Sequence, residues 1–160
     1  GEAETFWDDQ QGKYITFIKR DASYDNPAEA PDGNDGRRAI YFETGNIHKP
    51  WPFQPMNNPY YEGWPMPAVT GEGPIAMDSN ANGEVYRTRA IKYPWAPDTY
   101  LAFVWRFRSD DETRRVDLGV SRDGRHWSFY ADSQWYLTPT EHDEVLSLYG
   151  LIRRGNEIWQ

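Results

Sequence analysis

Short apolar runs punctuated by Gly, Pro, Asp and Asn recur along the chain, and no segment shows a helical period with caps. Two of these runs, Tyr14-Ile-Thr-Phe-Ile18 and Tyr100-Leu-Ala-Phe-Val104, mix aromatic and aliphatic residues over a strand's length. They predict buried β-strands. Near the end, Val145-Leu-Ser-Leu-Tyr-Gly-Leu-Ile152 predicts a strand, Arg154-Gly-Asn156 a tight turn, and Glu157-Ile-Trp159 the next strand. The stretches 21–36 and 52–84 are polar and rich in Pro, Asp, Asn and Gly, and predict loops. The second is longer than a plain connector needs.

The runs repeat in order. RRAIYFETGNIHKPW, from Arg37 to Trp51, matches RRVDLGVSRDGRHW, from Arg114 to Trp127. Each follows a second matching piece, WDDQQGKYITFIKR from Trp7 to Arg20 and WAPDTYLAFVWRF from Trp95 to Phe107. The repeating unit is strand, turn, strand, variable loop, strand, tight turn with Trp, outer strand. That pattern predicts an all-β chain of antiparallel four-stranded β-propeller blades, with a single β-sandwich as the alternative. One blade covers about 1–75 and a second about 76–140, and a third starts at about 141–160. A blade does not bury both faces alone, so two to two and a half blades call for more copies or a complementary chain to complete the ring.

Composition narrows the function classes. The aromatic share of 16%, with 8 Trp and 11 Tyr, excludes disorder for most of the chain. A net charge of −8 argues against nucleic acid or an anionic membrane surface as partner. No apolar run approaches the ~20 residues of a membrane-spanning helix. Without Cys there is no disulfide framework and no thiolate nucleophile. The three His lack metal-ligand spacing and the Asp-rich loops match no calcium loop, so no metal or cofactor is expected.

Ser121-Arg-Asp-Gly-Arg-His-Trp127 has the residue types of a catalytic loop, but its chemistry suits a hairpin turn. Asp123 accepts from following backbone N–H groups, Gly124 supplies a positive φ, and Trp127 packs back on the strands. It resembles the Asp-box turn of sialidases, shortened by one residue. In the other repeat Asn46 takes the Asp place. Asp8 and Asp9 are expected to form the turn before Tyr14.

The ordered series FWDDQQGKYITFIKR, GRRAIYFETG, EVYRTRAIKYPWAPDTYLAFVWRF, DLGVSRDGRHW and LYGLIRRGNEIW resembles the later blades of five-bladed propeller proteins related to glycoside hydrolase families 32 and 43. The resemblance implies an extracellular or periplasmic protein acting on a plant or algal polysaccharide. It also implies carboxylates at the narrow end of a central funnel, contributed by the first strands of different blades. Glycoside hydrolysis needs such a pair, one protonating the leaving oxygen and the other attacking or activating water.

On that reading the catalytic candidates are Glu84, Glu141 and Glu144, which open innermost strands, with Asp78 and Asp143 beside them in a binding role. Arg87 and Arg89 share one face of Val85–Ile91 by alternation, with Tyr86 and Thr88 on the other. Two guanidiniums there suit a carboxylate or sulfate on an acidic sugar; pairing with a carboxylate of the neighbouring blade is the structural alternative. Trp64, in the long loop, is a candidate for stacking on a sugar ring. A non-catalytic propeller that binds a glycan or protein, and a partial propeller that must assemble before it acts, remain as alternatives.

Overall fold

The computed structural model describes residues 3–21, 37–49, 75–77, 83–108, 110–129 and 151–160. Among these residues there is no helix; every regular element is a strand. The first sheet is a meander of β1 (Ala3–Asp8), β2 (Lys13–Asp21), β3 (Arg37–Thr44) and β4 (Ile75–Met77), paired in that order and antiparallel throughout. The second repeats the plan with β5 (Glu84–Lys92), β6 (Tyr100–Phe107), β7 (Arg114–Ser121) and β8 (Ser128–Phe129). A separate hairpin joins β9 (Ile152–Arg154) to β10 (Glu157–Trp159) through Gly155 and Asn156. The two matching sequence units thus form two matching sheets. Ile75–Met77 lies within the stretch 52–84 that the sequence predicts as a loop, yet it pairs with Ala39 and Ile40 as the fourth strand of the first sheet.

Each sheet has two buried faces, as the apolar runs require. Ile15, Phe17, Ala39, Tyr41 and Met77 of the first sheet pack on Val85, Ala90, Ala102 and Val104 of the second. Trp127 and Phe129 close over the same core, and Trp127 meets Phe17 edge-on at 5.9 Å. Ile18, Ile40 and Phe42 form a separate apolar cluster on the opposite face of the first sheet. Period-two alternation along β2 and β3 separates the two sets.

The sheets stack head to tail. Tyr14 pairs with Thr44 as Tyr100 pairs with Ser121, and Phe17 pairs with Tyr41 as Phe103 pairs with Leu118. In the first sheet Ile15, Phe17 and Tyr41 face the second sheet. Their register mates Leu101, Phe103 and Leu118 lie opposite Ala102 and Val104, on the face turned away from the first sheet. The contact therefore joins a forward face to a backward face, the heterologous mode of stacking repeats. A sandwich joins two inner faces instead.

One polar cluster inside the second sheet is fully desolvated. Arg106, 1% exposed, holds Asp117 at 2.9 Å through Nε, and its guanidinium lies 5.0 Å from the Phe129 ring. The Phe129 ring fits there because Gly119 beneath it has no side chain; a Cβ would come within 2.8 Å.

Candidate functional site

The sheet pair has two ends of different chemistry. One is formed by the turns after β1, β5 and β7, the other by the starts of β3, β5 and β7.

At the turn end, Asp8 is fully buried and caps its own turn, with Oδ1 accepting from the Gln10 and Gln11 N–H groups at 3.0 and 3.2 Å. This is the turn role expected for Asp8. The same carboxylate also crosses to the second sheet. Tyr100 donates its hydroxyl to Oδ2 at 2.5 Å, and Lys92 Nζ lies 3.1 Å from Oδ1 while also pairing with Asp9. Gln11 Nε2 donates to Asp8 Oδ2 at 2.7 Å and to the Asp123 carbonyl at 3.1 Å. Burial pushes the Asp8 carboxyl up, but hydrogen bonds from Tyr100, Lys92 and the Gln11 N–H outweigh it and hold the group below its ordinary range. Burial and the Asp8 bond push Tyr100 up.

Beside it, Glu43 accepts from Tyr41 at 2.8 Å and pairs with Lys13 at 2.5 Å and with Arg125. Burial alone raises Glu43, yet its bonds from Lys13, Tyr41 and Arg125 bring it down to about 2. Burial, helped by Glu43, pushes Tyr41 up to about 12. Arg125 also donates to Tyr41 Oη at 3.2 Å, tying the β7–β8 turn to the first sheet.

That turn has the predicted mechanics. Asp123 Oδ1 accepts from the Arg125 and His126 N–H groups, both at 2.8 Å, and Gly124 has φ 73°. Ser121 Oγ accepts from the Gly124 N–H at 2.9 Å. In the first sheet Thr44 and Asn46 repeat the device, with Asn46 Oδ1 accepting from the His48 N–H at 2.9 Å. His126 Nδ1 lies 2.6 Å from Asp123, not from Ser121, so the three side chains do not form a nucleophile–base relay. These groups are committed to joining turns and sheets.

The opposite end holds the described site candidates. Glu84 opens β5 and is 8% exposed. Its Oε2 accepts from the Arg37 N–H at 3.3 Å and lies 3.7 Å from Arg37 Nε. Gly83, just before it, has φ 115°, and a Cβ there would come within 2.5 Å of the Phe107 carbonyl oxygen. Glycine is therefore needed to set Glu84 against β6.

Arg89 pairs with Glu4 of the neighbouring sheet, the structural alternative foreseen for it. Arg87 lies 5.9 Å from the Trp105 ring. The strand is not regular here: a bulge between Val85 and Arg87 breaks the register with β6. Tyr86 and Thr88 both reach the first sheet, Tyr86 beside Lys19 and Arg37. Thr88 faces Met77 of the first sheet, while Tyr86 packs on Trp105 and Phe107. The candidates Trp64, Asp78, Glu141, Asp143 and Glu144 lie outside the described residues.

Two side chains at this end escaped the sequence reading. Lys19 Nζ sits 4.7 Å from the Tyr86 ring and the Arg114 guanidinium 5.5 Å from the Phe107 ring. Arg37 lies between, 5.3 Å from Tyr86 and 5.7 Å from Phe107. Nothing local in the sequence signals this grouping, because β2, β3, β5, β6 and β7 contribute one cation or ring each and only the folded sheets bring them together.

Among the described residues no group of three His, Asp or Glu side chains is placed to hold a metal ion. No helix among them is long and apolar enough to cross a membrane. Comparison with protein-family models, with curated proteins and with solved structures finds no match to this chain.

Proposed function

We propose that the two sheets are adjacent blades of a β-propeller of the glycoside hydrolase type, and that the assembled, exported protein acts on a plant or algal polysaccharide through paired carboxylates. The observation that carries this reading is the head-to-tail stacking of two matching four-stranded meanders. Repeats stacked with one polarity form rings or solenoids, and four-stranded antiparallel sheets stacked this way are propeller blades. Further copies or a complementary chain complete the ring. In that ring β1 and β5, each at the edge of its sheet, line the channel, and the end bearing Glu84 is its mouth. Glu84, Glu141 and Glu144 supply the acid and its partner carboxylate.

A second reading has its own support. Glu84 is buried and engaged by Arg37, which suits a group that holds a scaffold more than one that donates a proton. A non-catalytic glycan-binding propeller follows if the other carboxylates are equally committed.

Reducing-end release from plant and algal polysaccharides separates the two. Hydrolysis that disappears in Glu141→Gln or Glu144→Gln, with the melting temperature kept, supports catalysis; saturable glycan binding without hydrolysis supports the binding module. Sedimentation tests the ring: a species larger than one chain is expected, and a compact, well-folded monomer would count against it.

A further inference from the structure

We infer that the end bearing Glu84 binds the anionic group of a charged oligosaccharide, a sulfate ester or a uronate carboxylate, through Lys19 and Arg114. The inference rests on the glycan-handling reading above and names the class of sugar that reading leaves open.

Three cations lie along one ring pair. Tyr86 and Phe107 are 6.0 Å apart, with Lys19 over the first, Arg114 over the second and Arg37 near both. All of these side chains are half-buried, so solvent screens the cations less than it would at a free surface. Glu84 is bound to Arg37, the middle cation of the three. Among the described residues Lys19 and Arg114 have the rings as their partners and no carboxylate within pairing distance. A ring face attracts a cation but carries no net charge, so it does not take the place of an anion. Like charges held together in a half-desolvated place repel, and a bound anion relieves that repulsion. The Tyr86 hydroxyl, with no protein hydrogen-bond partner among the described residues, adds a donor for a sugar hydroxyl beside the charged group.

The site takes a single charged group on a mostly neutral ligand. Over the whole chain the net charge is −8, which repels an extended polyanion at long range. A sparsely charged glycan meets the local cations without that general penalty. Arg89, the cation singled out by alternation, is engaged by Glu4, so recognition of the anion shifts from Arg89 to Lys19 and Arg114.

The test is calorimetric titration of the whole protein with a sulfated oligosaccharide, a uronate-bearing one and a neutral one of the same length, and with a single-stranded oligonucleotide. A charged sugar is expected to bind more tightly than its neutral counterpart. Lys19→Met and Arg114→Gln together should weaken that binding by about tenfold, leaving neutral binding and melting temperature unchanged. The ratio of sulfate to uronate affinity identifies the group. Arg122→Gln, at the turn end, should have no effect. Equal binding of charged and neutral sugars, with both retained in the double variant, would overturn this inference and leave the glycan reading standing. Binding of the oligonucleotide as tight as that of the charged sugar would also overturn it, as generic attraction. Binding of no sugar at all would sink both.

Discussion

Tyr100 of the second sheet donates its hydroxyl to Asp8 of the first at 2.5 Å, and both side chains are buried. The phenol is inserted into the β1–β2 turn, where the carboxylate it meets already holds the Gln10 and Gln11 N–H groups. A turn cap thereby becomes an attachment point between sheets.

Tyr100→Phe removes that bond and keeps the ring packed on Phe6 at 6.3 Å. The expected loss is roughly 1–3 kcal/mol, the range for a buried hydrogen bond whose partner is left short of a donor. Denaturant unfolding reads it, and a double-mutant cycle with Asp8→Asn should give a clear coupling energy. Additive losses would show that the bond does not join the sheets.

The Glu43 cluster predicts a loss of stability at each extreme of pH. Glu43 titrates near 2 in the folded chain, below its ordinary 4.5, so its contribution is present above 4.5 and lost as pH falls towards 2. Tyr41 titrates near 12, above its ordinary 10, so its contribution is present below 10 and lost as pH rises towards 12. In Glu43→Gln the acid limb of a plot of melting temperature against pH should flatten. An unchanged acid limb would place the sensitivity on Asp8 and Asp123 instead, both of which are also depressed.

Breaking the buried pair in the second sheet should be costly. Asp117→Asn leaves Arg106 desolvated without its anion, at an expected cost of roughly 3–5 kcal/mol. Replacing both residues with apolar ones of similar size should recover much of that. Thermal unfolding of the single and double variants decides it; a mild single variant would mean that water reaches the guanidinium.

The β7–β8 turn is predicted to be structural. Asp123→Ala should cost roughly 1 kcal/mol, as loss of a backbone cap does. Trp127→Ala should cost about 3, at the low end for a large aromatic because the ring is only part-buried. Trp127→Phe should be much milder, since among the described residues the buried indole N–H has no hydrogen-bond partner to lose. Loss in Asp123→Ala of any glycan turnover that the protein shows, at an unchanged melting temperature, would refute the structural assignment.

The strands were readable because their signals are local. Tyr14–Ile18 and Tyr100–Val104 fall inside β2 and β6, and the matching pieces from Arg37 and Arg114 are β3 and β7. Turn chemistry was equally plain in Asp123 and Gly124. The bulge at Val85–Arg87 was not, since one extra residue leaves no compositional mark and yet shifts the register of β5 on β6. Nor was it legible that Arg89 meets Glu4 or that Lys92 meets Asp8 and Asp9. Those partners are far apart along the chain, and the angle at which one sheet lies on the next brings them together.

Because the forward and backward faces of each sheet differ, the stack has a polarity. A face-to-face pair saturates at two layers, but a polar pile has no chemical reason to stop at any number. In the proposed ring, what ends it is a rotation from one layer to the next that accumulates until the last meets the first. Layer count in such an architecture is a matter of wedge angle, and the angle is set by bulky or slight side chains at the contact, such as Tyr41 against Ala102. A change of girth there would alter how many layers make a full turn before it altered whether any two layers adhere.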